Sequence, residues 1–148
     1  EGRPTTDEIP TFPAGNFTAR PNPTIFRSGD QVLTALPSEQ QLIDVRTPAE
    51  FRGAASRAKR GGHIPGAINL PRNLLLDASG VLLPPARLRE QFAAAGVTAD
   101  SSDVVFYCNG GVSASFGLLA LRVAGLAHGS VYDGSWKDWG NDDSKPVE

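Results

Sequence analysis

Apolar positions along this chain fall in short runs, and the runs alternate in kind. Gln41–Val45 and Val104–Tyr107 are brief and rich in β-branched and aromatic residues, the pattern of buried strands; Ile68–Leu70 and Gly129–Tyr132 predict shorter ones. Helix signals lie between them. Ser28 or Gly29-Asp30 can cap a helix running to Leu36 and stopped by Pro37-Ser38, and Thr47 can cap a second with Pro48 at its first position. Pro84–Ala95 sets Leu88 and Phe92 four apart on one face, with Gly96 as its stop. Phe116–Ala124 is apolar almost throughout, as suits a helix buried against a sheet. Asp133–Trp136 turns the chain into a terminal segment ending near Trp139, with Trp136 and Trp139 as packing residues. Strands separated by helices predict an α/β fold, a parallel sheet with helices on both faces and right-handed crossovers. Ligands on such sheets sit outside the carboxyl ends of the strands.

Three stretches depart from this pattern. Residues 1–23 are polar and interrupted by Pro4, Pro10, Pro13, Pro21 and Pro23, which predicts a linker or extended arm and leaves 24–148 as the folded domain. Gly53–Gly62 is loop-like, carries Arg57, Lys59 and Arg60, and leads into a tight Gly62–Ala67 connection. Leu74–Leu83 is a turn-rich excursion that reverses at Asp77–Gly80.

Composition narrows the function classes. A chain of 148 residues, 40% hydrophobic, supports one sizeable core. Its formal charge of -2 gives no basis for a nucleic-acid or anionic-membrane partner, and it has no apolar run of membrane length or signal-peptide type. One cysteine excludes an internal disulfide framework, so a cytoplasmic location is expected. The absence of methionine, even at the start, points to a fragment or a processed chain.

That cysteine carries the candidate chemistry. Cys108-Asn109-Gly110-Gly111-Val112-Ser113 joins the strongest strand to the most apolar helix. Two glycines allow positive φ angles or close backbone approach, and the following helix directs its free amides and positive dipole end at the sulfur. Such a cradle favours a thiolate, whereas a cysteine without it is more often a small buried hydrophobe. A Cys-X5-Arg phosphatase loop needs an arginine where this chain has Ala114. Papain-type catalysis would have to recruit His63 or His128, neither in a recognisable local setting, and His63 suits a structural hydrogen bond better. One cysteine and two distant histidines do not make a zinc site. Sulfur transfer remains: the cysteine takes a sulfane sulfur, and backbone amides stabilise the persulfide.

CNGGVSA resembles the active-site loop of rhodanese-type sulfurtransferases. LIDVRTPAEF from Leu42, GHIPGAINLP from Gly62 and YDGSWKDWG from Tyr132 are similar to family blocks in the family's order. TFPAGNFTARPNP is similar to the connector preceding the second domain of tandem members, which implies a C-terminal catalytic half whose N-terminal rhodanese-like domain is missing here. The resemblance implies a rhodanese-like α/β fold, catalysis by Cys108, and no metal or organic cofactor. It also implies an active-site loop of Asn109, Gly110, Gly111, Val112 and Ser113, whose amides and Ser113 hydroxyl hold the anion. Asp44 and Arg46 become loop supports. Because the 53–62 loop borders the site in this family, Arg57, Lys59 and Arg60 are the candidate donor-binding residues. The expected partners are a small sulfur donor, thiosulfate or 3-mercaptopyruvate, and a thiophilic acceptor such as cyanide or a thiol. The neutral Asn109-Gly110 pair and the ending Lys145–Glu148 resemble mercaptopyruvate-preferring members, which implies activity with both donors and a modest preference for that one. Against it, Glu50 stands where those members carry a carboxylate-binding arginine. The alternatives are a non-catalytic sulfur-carrier or regulatory domain and, disfavoured by Ala114, a phosphatase or arsenate reductase.

Overall fold

In the computed structural model, which describes residues 2, 4–36, 40–126 and 129–148, five parallel strands form one sheet. The strands are β1 (Phe26–Arg27), β2 (Gln41–Asp44), β3 (Ile68–Asn69), β4 (Val104–Tyr107) and β5 (Gly129–Tyr132), in spatial order β1-β5-β4-β2-β3. All four residues of β4 are buried. It pairs with β2 on one side (Ile43 opposite Phe106) and with β5 on the other (Phe106 opposite Val131). A strand covered on both faces must be apolar at every position, which is why VVFY occupies the centre.

Alternation along the strands sorts side chains into two cores. Ile43, Val104, Phe106 and Val131 face α3 (Pro85–Ala94) and α4 (Val112–Val123), meeting Leu88, Phe92, Leu118 and Leu121. Leu42, Val105, Tyr107 and Tyr132 face the opposite side and meet Val32 of α1 (Gly29–Ala35) with Trp136 and Trp139 of α5 (Ser135–Trp139). Helices therefore cover both faces, as the alternation of elements predicts. Each fully buried side chain of this size contributes about 1.5–3 kcal/mol through removal of apolar surface from water. Gly117 brings α4 close to the sheet: a Cβ there would lie 2.8 Å from the Phe106 ring.

Local signals locate most boundaries. Ser28 caps α1 and Thr47 caps α2 (Pro48–Phe51), each in a capping box closed by the residue three positions on. The proposed stop at Pro37-Ser38 lies outside the described residues. Helix α4 begins at Val112, four residues before the apolar run starting at Phe116. The polar first turn disguises that start, because Ser113 and Ser115 break the apolar run without breaking the helix. Arg72–Leu75 form a 3-10 turn that leads into the 74–83 excursion, within which Leu76 bridges Leu82. Nor does the fold stop at Trp139. Trp139 Nε1 donates to Pro146 O (2.7 Å), and His63 and Glu148 exchange backbone hydrogen bonds (2.8 and 3.0 Å), so the last residues pack back on the domain. Pro4–Asn22 are exposed and carry no helix or strand. Among the described residues no helix is long and apolar enough to cross a membrane.

Candidate active site

Cys108 is the first residue beyond β4, at the carboxyl end of the central strand, 5% exposed and in no disulfide. The loop after it is held by the start of α5. Ser135 sits at φ +54, unusual for a residue with a side chain. Its Oγ accepts from the Cys108 amide (3.1 Å) and the Gly111 amide (3.2 Å) and donates to Tyr132 O (2.8 Å). Trp136 N–H donates to Cys108 O (2.9 Å) and Lys137 N–H to Asn109 O (3.1 Å). Gly111 turns the chain at φ +79, and a Cβ there would strike the Asp133 carboxylate.

These contacts divide the loop amides. Gly111 N–H is bound to Ser135 and Val112 N–H to Gly110 O (3.0 Å), so neither joins a complete ring around the sulfur as expected for residues 109–113. The amides of Asn109, Gly110 and Ser113 have no protein acceptor among the described residues. The twelve-residue α4 points its N-terminal end at the same place.

Cys108 opens into a cavity of about 610 Å³. Asn109, Gly110, Val112 and Ser113 line it from the loop, Val45 to Pro48 with Glu50 contribute a second wall, and Pro71 to Asn73 a third; Arg57 and Lys137 complete it. Glu50 is fastened in place. Its Oε2 accepts from the Thr47 amide (3.1 Å) and hydroxyl (2.8 Å), its Oε1 accepts from Asn109 Nδ2 (2.9 Å), and Arg57 Nε lies 3.5 Å away. Burial alone would raise this carboxyl. The hydrogen bonds from Asn109 and Thr47, with the charge of Arg57, outweigh burial and hold it below the ordinary carboxylate range.

Beneath the pocket, buried Arg46 grips Asp44 through Nε (3.0 Å to both oxygens) and Nη2 (2.6 Å), and Nη2 also donates to Gly62 O (2.8 Å). Its guanidinium lies 4.5 Å from the Trp136 ring centroid. Burial would lower the Arg46 pKa, but the hydrogen bonds and charge of Asp44 outweigh it and raise it.

Of the three cations expected from the 53–62 loop, only Arg57 lines the pocket. The Lys59 side chain lies outside the lining, while its amide donates to Asn141 Oδ1 (2.9 Å). Arg60 is turned away: its guanidinium donates to the carbonyls of Trp139 (2.9 Å), Lys145 (2.8 Å) and Asp142, and fastens the chain end. A basic loop has no sequence mark that separates a cation aimed at a site from one neutralised by carbonyls. His63 is not in the lining; its Nδ1 lies 2.9 Å from Phe51 O and its ring stacks on Phe51 at 3.7 Å. His128 lies outside the described residues. Ala114 is fully buried, so that position offers no guanidinium. Three residues at the site escape sequence reasoning, Ser135, Arg72 and Lys137. The block around Ser135 suggests a turn, but nothing local marks it as the acceptor for two loop amides; Arg72 and Lys137 are brought to Cys108 only by the topology.

The rhodanese-like domain model matches residues 28–142. A Haloferax volcanii protein provisionally named a thiosulfate sulfurtransferase is 38% identical over 154 residues, covering 98% of this chain and 54% of its own length. The sulfur carrier protein TtuD of Thermus thermophilus is 34% identical over 155 residues, covering 95% and 54%. This chain thus spans about half the length of these curated relatives. Among solved structures, an EanB variant with a cysteine persulfide, in a tetrahedral intermediate state with ergothioneine, superimposes with a TM-score of 0.84 at 25% identity, over 96% of this chain and 36% of that one.

Proposed function

The chain belongs to the rhodanese-like domain family, and we propose that it transfers sulfane sulfur through a persulfide on Cys108. One observation carries this reading: the only cysteine lies at the carboxyl end of the central strand, beside three loop amides that have no acceptor among the described residues. With thiosulfate, the Cys108 thiolate attacks the outer sulfur. The new S–S bond forms as the donor's S–S bond breaks, and sulfite leaves with the electron pair. With 3-mercaptopyruvate the C–S bond breaks instead; its pair stays on carbon, which takes the thiol proton to give pyruvate. Discharge reverses the roles: cyanide attacks the terminal sulfur, the S–S pair returns to Cys108, and thiocyanate departs. The amides of Asn109, Gly110 and Ser113, with the Ser113 hydroxyl, donate to the persulfide anion. A reducing cytoplasm, in which a lone thiol stays free, suits this cycle.

A second reading is favoured by the likeness to TtuD, whose name is that of a sulfur carrier. A carrier would load Cys108 in the same way but discharge only to a protein acceptor. Intact mass spectrometry after incubation with thiosulfate or 3-mercaptopyruvate tests the shared step. We expect a gain of one sulfur atom, removed by cyanide and absent in Cys108→Ser. An unchanged wild-type mass with both donors would overturn the reading, as would robust aryl phosphate hydrolysis dependent on Cys108. A persulfide that forms but resists cyanide would favour the carrier.

A further inference from the structure

Four cationic side chains line the Cys108 pocket, and they differ in what they already hold. Arg46 is buried and gripped by Asp44. Arg57 lies 3.5 Å from the ionised Glu50. Arg72 and Lys137 are both exposed and have no ion pair or side-chain hydrogen bond among the described residues. Their backbones are nevertheless fixed. The Arg72 amide donates to Val45 O (3.0 Å), at the start of the 3-10 turn after Pro71, and the Lys137 amide donates to Asn109 O (3.1 Å) in the cysteine loop itself. Lys137 runs alongside that loop: its Cδ is 3.9 Å from where a Cβ on Gly110 would sit.

Topology brings the two cations from segments on opposite sides of β4, the strand that ends at Cys108. Cys108 leaves β4; Lys137 comes from the segment after β5, the neighbour of β4 on one side, and Arg72 from the segment after β3, beyond β2 on the other. We propose that Arg72 and Lys137 form a two-cation subsite that binds the anionic end of the sulfur donor and sets donor choice toward dianions such as thiosulfate. This rests on the sulfur-transfer reading. With Glu50 matched by Arg57 and Arg46 by Asp44, two unmatched positive charges remain in the pocket, the complement of a doubly charged donor. A thiosulfate whose outer sulfur meets Cys108 carries its oxyanion end away from the sulfur, toward the mouth where two flanking donors can share it. The neutral Asn109-Gly110 pair, which by itself implies a preference for mercaptopyruvate, leaves out cations supplied from elsewhere in the chain.

The experiment measures single-turnover sulfur loading of Cys108 at low and high salt for wild type, Arg72→Gln, Lys137→Gln, the double variant, Lys137→Arg and the control Lys59→Gln. Lys59→Gln removes the same charge outside the pocket. We expect the second-order rate constant for loading from thiosulfate to fall about five- to tenfold for each single Gln variant, mainly through weaker donor affinity, with a weaker salt dependence. Loading from 3-mercaptopyruvate should fall less, and Lys137→Arg should restore most of the loss. Calorimetric binding of thiosulfate to Cys108→Ser, with and without the two Gln substitutions, reads the subsite without chemistry. If Arg72→Gln and Lys137→Gln match Lys59→Gln in both loading and binding, the subsite is overturned. If wild type loads no sulfur from any donor, the sulfur-transfer reading fails, while loss of thiosulfate binding in the Cys108→Ser background would still identify the subsite.

Discussion

Ser135 shows what one hydroxyl at an unusual backbone angle does for this site. The residue is fully buried at φ +54, and its oxygen joins the cysteine loop to the end of β5. Removing it leaves two buried amides without an acceptor, and each unsatisfied donor costs about 1–3 kcal/mol. Ser135→Ala should therefore lose about 2–4 kcal/mol in urea unfolding and slow sulfur loading of Cys108 by at least about tenfold, since the loop loses its template. Ser135→Thr keeps the hydroxyl but puts a β-branched residue in a left-handed conformation, so it should be destabilised with its loading rate better preserved. A Ser135→Ala variant as stable and as fast as wild type would show that the other contacts from α5 suffice.

At the scale of elements, the four-residue α2 is too short to persist alone and depends on its cap. Glu50 closes that cap and also holds Asn109, so the wall of the pocket and the cysteine loop share one carboxylate. Glu50→Ala removes both roles and should cost about 1–2 kcal/mol, the range of a lost cap with one further hydrogen bond. Glu50→Gln retains most of the hydrogen bonding and removes the negative charge, which also frees Arg57. Its thiosulfate KM should fall about two- to fivefold with little change in kcat, because the pocket becomes more positive toward the donor. An unchanged KM with full stability would mean that Glu50 is already neutralised by its partners as seen from the pocket.

For the whole molecule, the last residues act as a strap whose charges make stability depend on pH. Lys145 is buried and pairs with Asp138 (3.2 Å) and Asp142 (3.3 Å), while Arg60 holds the carbonyls around them. Hydrogen bonds from the Ser144 hydroxyl and amide, then the charge of Lys145, take the Asp142 carboxyl from 3.8 to about 2. A carboxyl whose folded value is depressed contributes stability above its unfolded value and loses it as pH falls toward the folded one. Glu50 shifts in the same direction. The urea midpoint should therefore be flat near neutrality and decline between about pH 4 and 2, and Asp142→Asn should begin lower at neutral pH and decline less. Burial would lower the Lys145 pKa, but its two aspartates outweigh it and raise it. That contribution is present below the ordinary lysine value and is lost as pH rises from there through the raised folded value. Equal midpoints for wild type and Asp142→Asn at neutral pH would remove the strap from the stability account. Legible along the chain were the alternation of strands and helices, a cap at Ser28 or Gly29-Asp30, the cap at Thr47, the strand-loop-helix around Cys108 and the family, because each rests on neighbours in the chain: period, cap spacing and contiguous motif; the structure chose Ser28 for the first cap. Only the tertiary structure shows that Ser135 takes two loop amides, that Arg60 straps the chain end, and that Arg72 and Lys137 line the Cys108 pocket. Those contacts join residues far apart in sequence, and a charged or polar side chain has the same local signature whether it meets a carbonyl, a carboxylate or an open pocket.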